Sequence, residues 1–168
     1  MIARSGRRFA ASRLRGVAEE LLQASTLCAI STVSPGARAH VNTAYFAWTP
    51  DLLIVWFSEP RARHSRNLRA NASAAIAVFD SSQSWGKPDR GIQLFGSART
   101  GGGDAEEAYA KRFPEYEGFE AYRPYELVPR QVKLFDERAL GAATFVTARV
   151  ARDGKLTWER TEVYDSKG

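Results

Sequence analysis

Six consecutive apolar residues, Leu52 to Phe57 (LLIVWF), constrain this chain more than any other feature. A strand with one face in water alternates apolar and polar side chains, so a run apolar at every position fits a strand covered on both faces. The β-branched and aromatic content favours strand over helix. Directly afterwards the sequence turns to SEPRARHSRNLRAN and then to a second apolar run, SAAIAVFD. The spacing predicts strand, short helix over 60–70, and strand again. Pro60 falls in the first turn of that helix, where a missing N–H costs nothing, and Asn71 ends it. The positive end of the helix, reinforced by Arg61, Arg63 and His64, would then point at the edge of a sheet.

The flanking sequence surrounds this corner with strands. Leu14, Val17, Ala18, Leu21 and Leu22 recur at helical spacing, which predicts an amphipathic helix over 12–23 with Ser12 as its cap. LCAISTV reads as a strand, SPGA as a turn, and AHVNTAYFAW as one long second strand. The run LLIVWF is then the third strand and SAAIAVFD the fourth. A polar loop, SSQSWGKPDR, precedes a fifth strand, GIQLFGSART, in which Gly96 suits a bulge. GGGD breaks the chain, and DAEEAYAKRF predicts a helix capped by Asp104. YELVPRQVKLFDE reads as a strand made irregular by Pro129. ATFVTARV and KLTWERTEV flank ARDG as a closing hairpin. Mostly antiparallel strands with a few short helices predict an α+β fold, a small β-barrel with peripheral helices. The whole of 1–168 is expected to be one domain, with 1–11 a flexible tail.

Composition removes several function classes. Four Trp, nine Phe and six Tyr in 168 residues imply an aromatic core or interface. The net charge of +5 is spread along the chain and interleaved with acids after residue 100, so a nucleic-acid partner is not expected. A single cysteine, Cys28, forbids an intramolecular disulfide and a cysteine metal cage, and two histidines are too few for an obvious metal site. Neither a membrane span nor a signal-peptide core appears, which makes the cytoplasm the expected location.

Three places can carry chemistry. The helix after Pro60 bears Arg61, Arg63, His64, Arg66 and Arg69 but only Ala62, Leu68 and Ala70 as apolar residues, too narrow a stripe for core packing alone. A helix N-terminus, guanidinium forks and the hydroxyls of Ser58 and Ser65 make an anion site, suited to a phosphate. On the second strand, alternation puts His40, Asn42 and Ala44 on one face and Val41, Thr43 and Tyr45 on the other. Polar groups in a central strand need partners, and these could meet the polar edge of a flat heterocycle. Gln93 interrupts the fifth strand with an amide that both donates and accepts. No hydrolase triad, Walker sequence or carboxylate pair stands out. No catalytic base is assigned, and any hard chemical step falls to a cofactor.

With those residues in view, the chain resembles the flavin-binding split-barrel family that includes pyridoxamine 5′-phosphate oxidase. The resemblance runs from about Val17 to Thr100, through SPGARAHVNTAYFAW, LLIVWFS, ARHSRNLRAN and IQLFGSA. It implies an α+β, mainly antiparallel split barrel that forms a homodimer with FMN in grooves between subunits. It further implies phosphate contacts from Ser58, Arg63 and His64, where the oxidase carries an Arg-Lys pair at the last two positions. Asn42, Thr43 and Phe57 would touch the ring system or ribityl chain, with Gln93 a looser match. The implied activity is FMN-dependent oxidation or reduction of a small-molecule substrate. Relatives that use a deazaflavin share the barrel, and a non-catalytic flavin- or haem-binding protein is a further alternative. The ending ERTEVYDSKG lacks the Arg/His-rich motif of the oxidase, so pyridoxamine phosphate itself is not the expected substrate.

Overall fold

The computed structural model describes residues 2–118 and 120–164. In chain order these form β1 (Ile2–Ser5), α1 (Ala11–Gln23), β2 (Leu27–Ser34), β3 (Arg38–Tyr45), β4 (Ala47–Trp48), β5 (Ile54–Ser58), α2 (Arg63–Ala70), β6 (Ser73–Phe79), β7 (Arg90–Thr100), α3 (Gly103–Arg112), β8 (Arg123–Asp136), α4 (Glu137–Leu140), β9 (Thr144–Val150) and β10 (Leu156–Tyr164). The strands join in one antiparallel sheet, β1-β10-β9-β8-β7-β6-β2-β3, with β4 on β5 and β5 on β8.

β8 shapes this sheet into a split barrel. One edge pairs with β7 along the strand, from Arg90↔Asp136 to Thr100↔Tyr125. The other edge pairs with β5 through Arg123–Leu127 and with β9 through Gln131–Phe135. The handover falls at Pro129, which cannot donate to a ladder, opposite a register shift between Phe95 and Gly96. A Cβ on Gly96 would collide with the Val128 carbonyl, so only glycine allows the approach.

The run 52–57 is buried as its composition requires: Leu52, Ile54, Val55 and Trp56 are fully enclosed. Ile54 and Trp56 join the main core with Ile30, Ile76, Ile92, Leu94, Leu127 and Leu134, closed by the apolar stripe of α1. Val55 faces a second, smaller cluster with Ala47, Ala105 and Tyr109. Thus α1 and α3 sit on opposite sides of β5. Among the described residues no helix is long and apolar enough to cross a membrane.

Several boundaries differ from the sequence reading. Ala10 occupies the cap of α1 without a side-chain bond, leaving Ser12 inside the first turn. Gly102 precedes α3 in the same way, and Asp104 and Glu106 act there through charge alone. Pro60 lies outside α2, in a turn closed by the Ala62 N–H donating to the Glu59 carbonyl at 3.0 Å. Its fixed φ serves the second position of a turn as well as it serves a helix. The second strand breaks after Tyr45 into β3 and β4, and β3 lies at the end of the sheet order, not at its centre. The basic segment expected to be a tail forms β1, paired with β10 from Ile2↔Tyr164 to Ser5↔Thr161. Its backbone makes that pairing, which composition does not reveal, and Arg7 adds a bond to the Leu140 carbonyl at 2.7 Å.

Candidate functional site

The split of the barrel lies where β3 comes alongside β5 and α2 without pairing to either. Among the described residues β3 bonds only to β2, so its other edge carries backbone donors and acceptors free of a ladder. Alternation along β3 is as expected, with His40, Asn42 and Ala44 half-buried and Val41, Thr43 and Tyr45 exposed. The Asn42 Oδ1 is buried without a hydrogen-bond partner, while its Nδ2 reaches the Thr43 carbonyl only at 3.5 Å.

At the mouth of this slot β5 ends on Ser58, which is 8% exposed. Its Oγ lies 2.6 Å from Nε2 of His64, in the first turn of α2. Burial lowers the pKa of His64, and the nearby His40 lowers it further, so His64 is a neutral imidazole at pH 7. Ser65 is completely enclosed and its Oγ has no partner. The N-terminus of α2 has no side-chain cap. A buried hydroxyl and first-turn N–H groups without partners are costly unless something accepts from them.

The arginines divide into two groups. Arg61 is 89% exposed and bonds Glu59 at 2.6 Å, and Arg69 reaches back to the Pro60 carbonyl at 2.7 Å. Arg63 and Arg66 are exposed and make no hydrogen bond or ion pair among the described residues. The helix holds its place by polar contacts in place of an apolar stripe. Asn67 is buried and donates from Nδ2 to Thr32 Oγ1 at 2.9 Å and Ser34 Oγ at 3.2 Å, beside buried Leu68. That anchor explains how so basic a helix packs, and the sequence reading missed it.

The remaining candidates are more dispersed. Phe57 turns to the side opposite Ser58, against Tyr109 at 4.8 Å and Tyr116 at 5.3 Å between ring centroids. Thr43 sits on the exposed face of β3. Gln93 on β7 shares that outer face but is separated from β3 by β6 and β2, roughly 14 Å away at ordinary strand spacing. Hence Ser58, His64 and Ser65 come together at the start of α2, with Arg63 exposed on its first residue and Asn42 on neighbouring β3, while Arg61 is turned to Glu59 and Gln93 lies apart. The aromatic cluster formed by Tyr109 of α3 with Phe113 and Tyr116 of the segment after it went unread.

This slot can hold a group with an anionic end and a flat polar end. One orphaned buried hydroxyl, Ser65 Oγ, an uncapped helix start and an unpaired guanidinium fit a phosphate at α2, and the orphaned Asn42 oxygen fits a donor on the edge of a heterocycle. A family model described as pyridoxamine 5′-phosphate oxidase matches residues 14–152. No curated protein matches the chain. Among solved structures, a protein of unknown function from Agrobacterium tumefaciens is similar, with 20% identity and a TM-score of 0.61, over 71% of this chain and 56% of that one. A haem-binding protein from Mycobacterium smegmatis shares 18% identity at a TM-score of 0.64, over 89% of this chain and 62% of that one. General Stress Protein 26 from Bacillus anthracis shares 12% identity at a TM-score of 0.58, over 73% and 94%. The chain therefore spans less than two thirds of the first two, and at these identities the likeness is one of fold.

Proposed function

We propose that this chain, which belongs to the pyridoxamine 5′-phosphate oxidase family, is an FMN-dependent oxidoreductase acting on a small-molecule substrate as a homodimer. The observation that carries this reading is the unsatisfied polar cradle at the start of α2: enclosed Ser65 Oγ, neutral His64 on Ser58, and unpaired Arg63. Arg63 supplies the charged fork, Ser58, His64 and Ser65 supply neutral hydrogen bonds, and Arg61 can join only by leaving Glu59. Asn42 Oδ1 offers an acceptor to a ring N–H, whereas Thr43, on the outer face of β3, and Phe57, packed on Tyr109, could reach a ring only from outside the slot. Bound FMN would supply two-electron hydride chemistry, while these residues fix its position and screen it from water.

The outer sheet face supports the homodimer. Cross-strand rows run Phe95, Ala75, Ser31, Val41 and Gln93, Ala77, Ala29, Thr43, flat and small-sided in the middle. Val41 is 64% exposed and Phe79 49%, so large apolar groups flank that flat strip. A second copy on this face would bring another Gln93 and Thr43 toward each slot. Haem is less well served, because Nε2 of His64, the natural iron ligand, is already engaged by Ser58.

The test is a titration of the purified full chain with FMN, followed by flavin fluorescence, with a deazaflavin and haem in parallel. Saturable FMN quenching at one site per chain is the expected result. Preference for the deazaflavin or haem, or no quenching, would overturn the reading.

A further inference from the structure

Beside the slot, a cleft of about 440 Å³ opens between the end of β3 and the end of α3, lined by Tyr45, Tyr109, Arg112, Phe113 and Tyr116 among others. That volume lies within the range of small-molecule sites. The rings form a continuous set: Tyr45 meets Phe113 edge-on at 5.9 Å, Phe113 meets Tyr109 at 4.8 Å, and Tyr109 meets Tyr116 at 5.1 Å. Tyr45, at the mouth, is 58% exposed. The cleft is contiguous with Phe57, whose chain neighbour Ser58 bonds His64 in the phosphate cradle.

The charge of an occupant is restricted from both sides. Among the described residues Arg112 is the one cation in the lining, and its guanidinium is committed elsewhere. It donates to the carbonyls of Phe46, Leu22 and Ser25 at 2.7–3.2 Å and is sandwiched over Phe46 and Trp48 at 4.5 Å. An anion would find no free donor fork there and would face Glu115 on the rim. A cation would gain from the ring faces but would sit beside the fixed guanidinium, which also lies 5.7 Å from the Phe113 ring. Burial pushes the Tyr109 hydroxyl up to about 12, so it stays a neutral donor or acceptor at pH 7.

We propose that this aromatic cleft binds a neutral, flat ring compound, laid against exposed Tyr45 beside Phe113 and Tyr116, and so sets the substrate class of the oxidoreductase. The assignment of that ligand as substrate rests on the cofactor reading above, whereas its binding does not. Contacts with four rings select planar aromatic shape, the committed guanidinium offers an anion no fork, and its fixed positive charge offsets what Glu115 on the rim offers a cation.

The experiment uses the full chain without added cofactor, and measures equilibrium binding of naphthol, naphthoate and naphthyltrimethylammonium, three ring systems of the same size and different charge. Naphthol is expected to bind at least about tenfold more tightly than either ion. Tyr45→Ala and, separately, Phe113→Leu should each weaken naphthol binding by about three- to tenfold, as expected for loss of one aromatic contact. Circular dichroism confirms that each variant is folded, and Tyr45→Ala, altering an exposed side chain, keeps the test valid if Phe113→Leu unfolds. Equal or tighter binding of an ion, no binding of naphthol, or indifference to Tyr45→Ala would overturn the proposal. FMN is titrated into the same samples: naphthol binding without FMN binding would refute the cofactor reading alone, and the reverse would refute the cleft alone.

Discussion

Replacing Arg63 by alanine should weaken FMN binding about ten- to hundredfold, because one charge-assisted hydrogen bond contributes ~1.5–3 kcal/mol. The magnitude follows from the position of Arg63 at the first residue of α2, where no group among the described residues competes for its guanidinium. Arg61 provides the contrast, being 89% exposed and already bonded to Glu59 at 2.6 Å. Its contact with a phosphate would displace an existing partner, so Arg61→Ala should cost only about two- to fivefold, in line with exposed ion pairs of ~0.2–1 kcal/mol. Neither substitution removes packing, and global stability should stay within about 0.5 kcal/mol. The assay is flavin fluorescence quenching at fixed ionic strength, with riboflavin as the ligand that lacks the phosphate. Arg63→Ala should leave riboflavin affinity unchanged. An equal loss for FMN and riboflavin, or no loss for FMN, would refute the placement of the phosphate at α2.

Four further outcomes follow from the geometry. The His64 pKa is lowered in the native state, so as pH falls below the ordinary 6.5 the unfolded chain binds a proton that the folded chain refuses. Stability should therefore fall on acidification from about pH 6.5 to the native pKa, and His64→Gln should flatten that slope in urea titrations. Gly96→Ala forces a methyl against the Val128 carbonyl and the Pro129 backbone, and should destabilise by about 1–3 kcal/mol in the same assay. Asp136 is 1% exposed, accepts from the Arg138 and Ala139 N–H groups and pairs with Arg90 at 2.7 Å; Asp136→Ala should cost about 3 kcal/mol and lower the melting temperature. Val41→Arg places a charge in the middle of the exposed β3 face, and should shift the proposed dimer to monomer in analytical ultracentrifugation.

Much of the fold was legible because strands and helices advertise their buried faces. The all-apolar run at 52–57 marked a strand covered on both sides, and the stripe Leu14 to Leu22 marked the helix that covers the core. Gly96 and Pro129, read separately as irregular, turned out to face each other across one bulge. What stayed hidden depends on partners distant in sequence. Nothing near Ile2 signals that its backbone pairs with Tyr164, and nothing in RHSRNLRA signals that Asn67 will find Thr32 and Ser34. The edge position of β3 was also hidden, because alternation reports which face is buried and not which edge is paired. At the slot, residue chemistry named Ser58, Arg63, His64 and Ser65, and the structure adds what chemistry alone omits: which guanidinium is already engaged and which hydroxyl lacks a partner. Tyr109, Phe113 and Tyr116 were passed over because aromatics at and beyond a helix end resemble ordinary core packing until a cleft is seen beside them.

The most direct measurement is a crystal structure of the full chain grown with FMN. The account predicts the phosphate at the first turn of α2, within hydrogen-bond distance of Arg63 and the Ser65 hydroxyl, and the ring edge at Asn42. A flavin seated on another face, or an empty slot at saturating FMN, would contradict it.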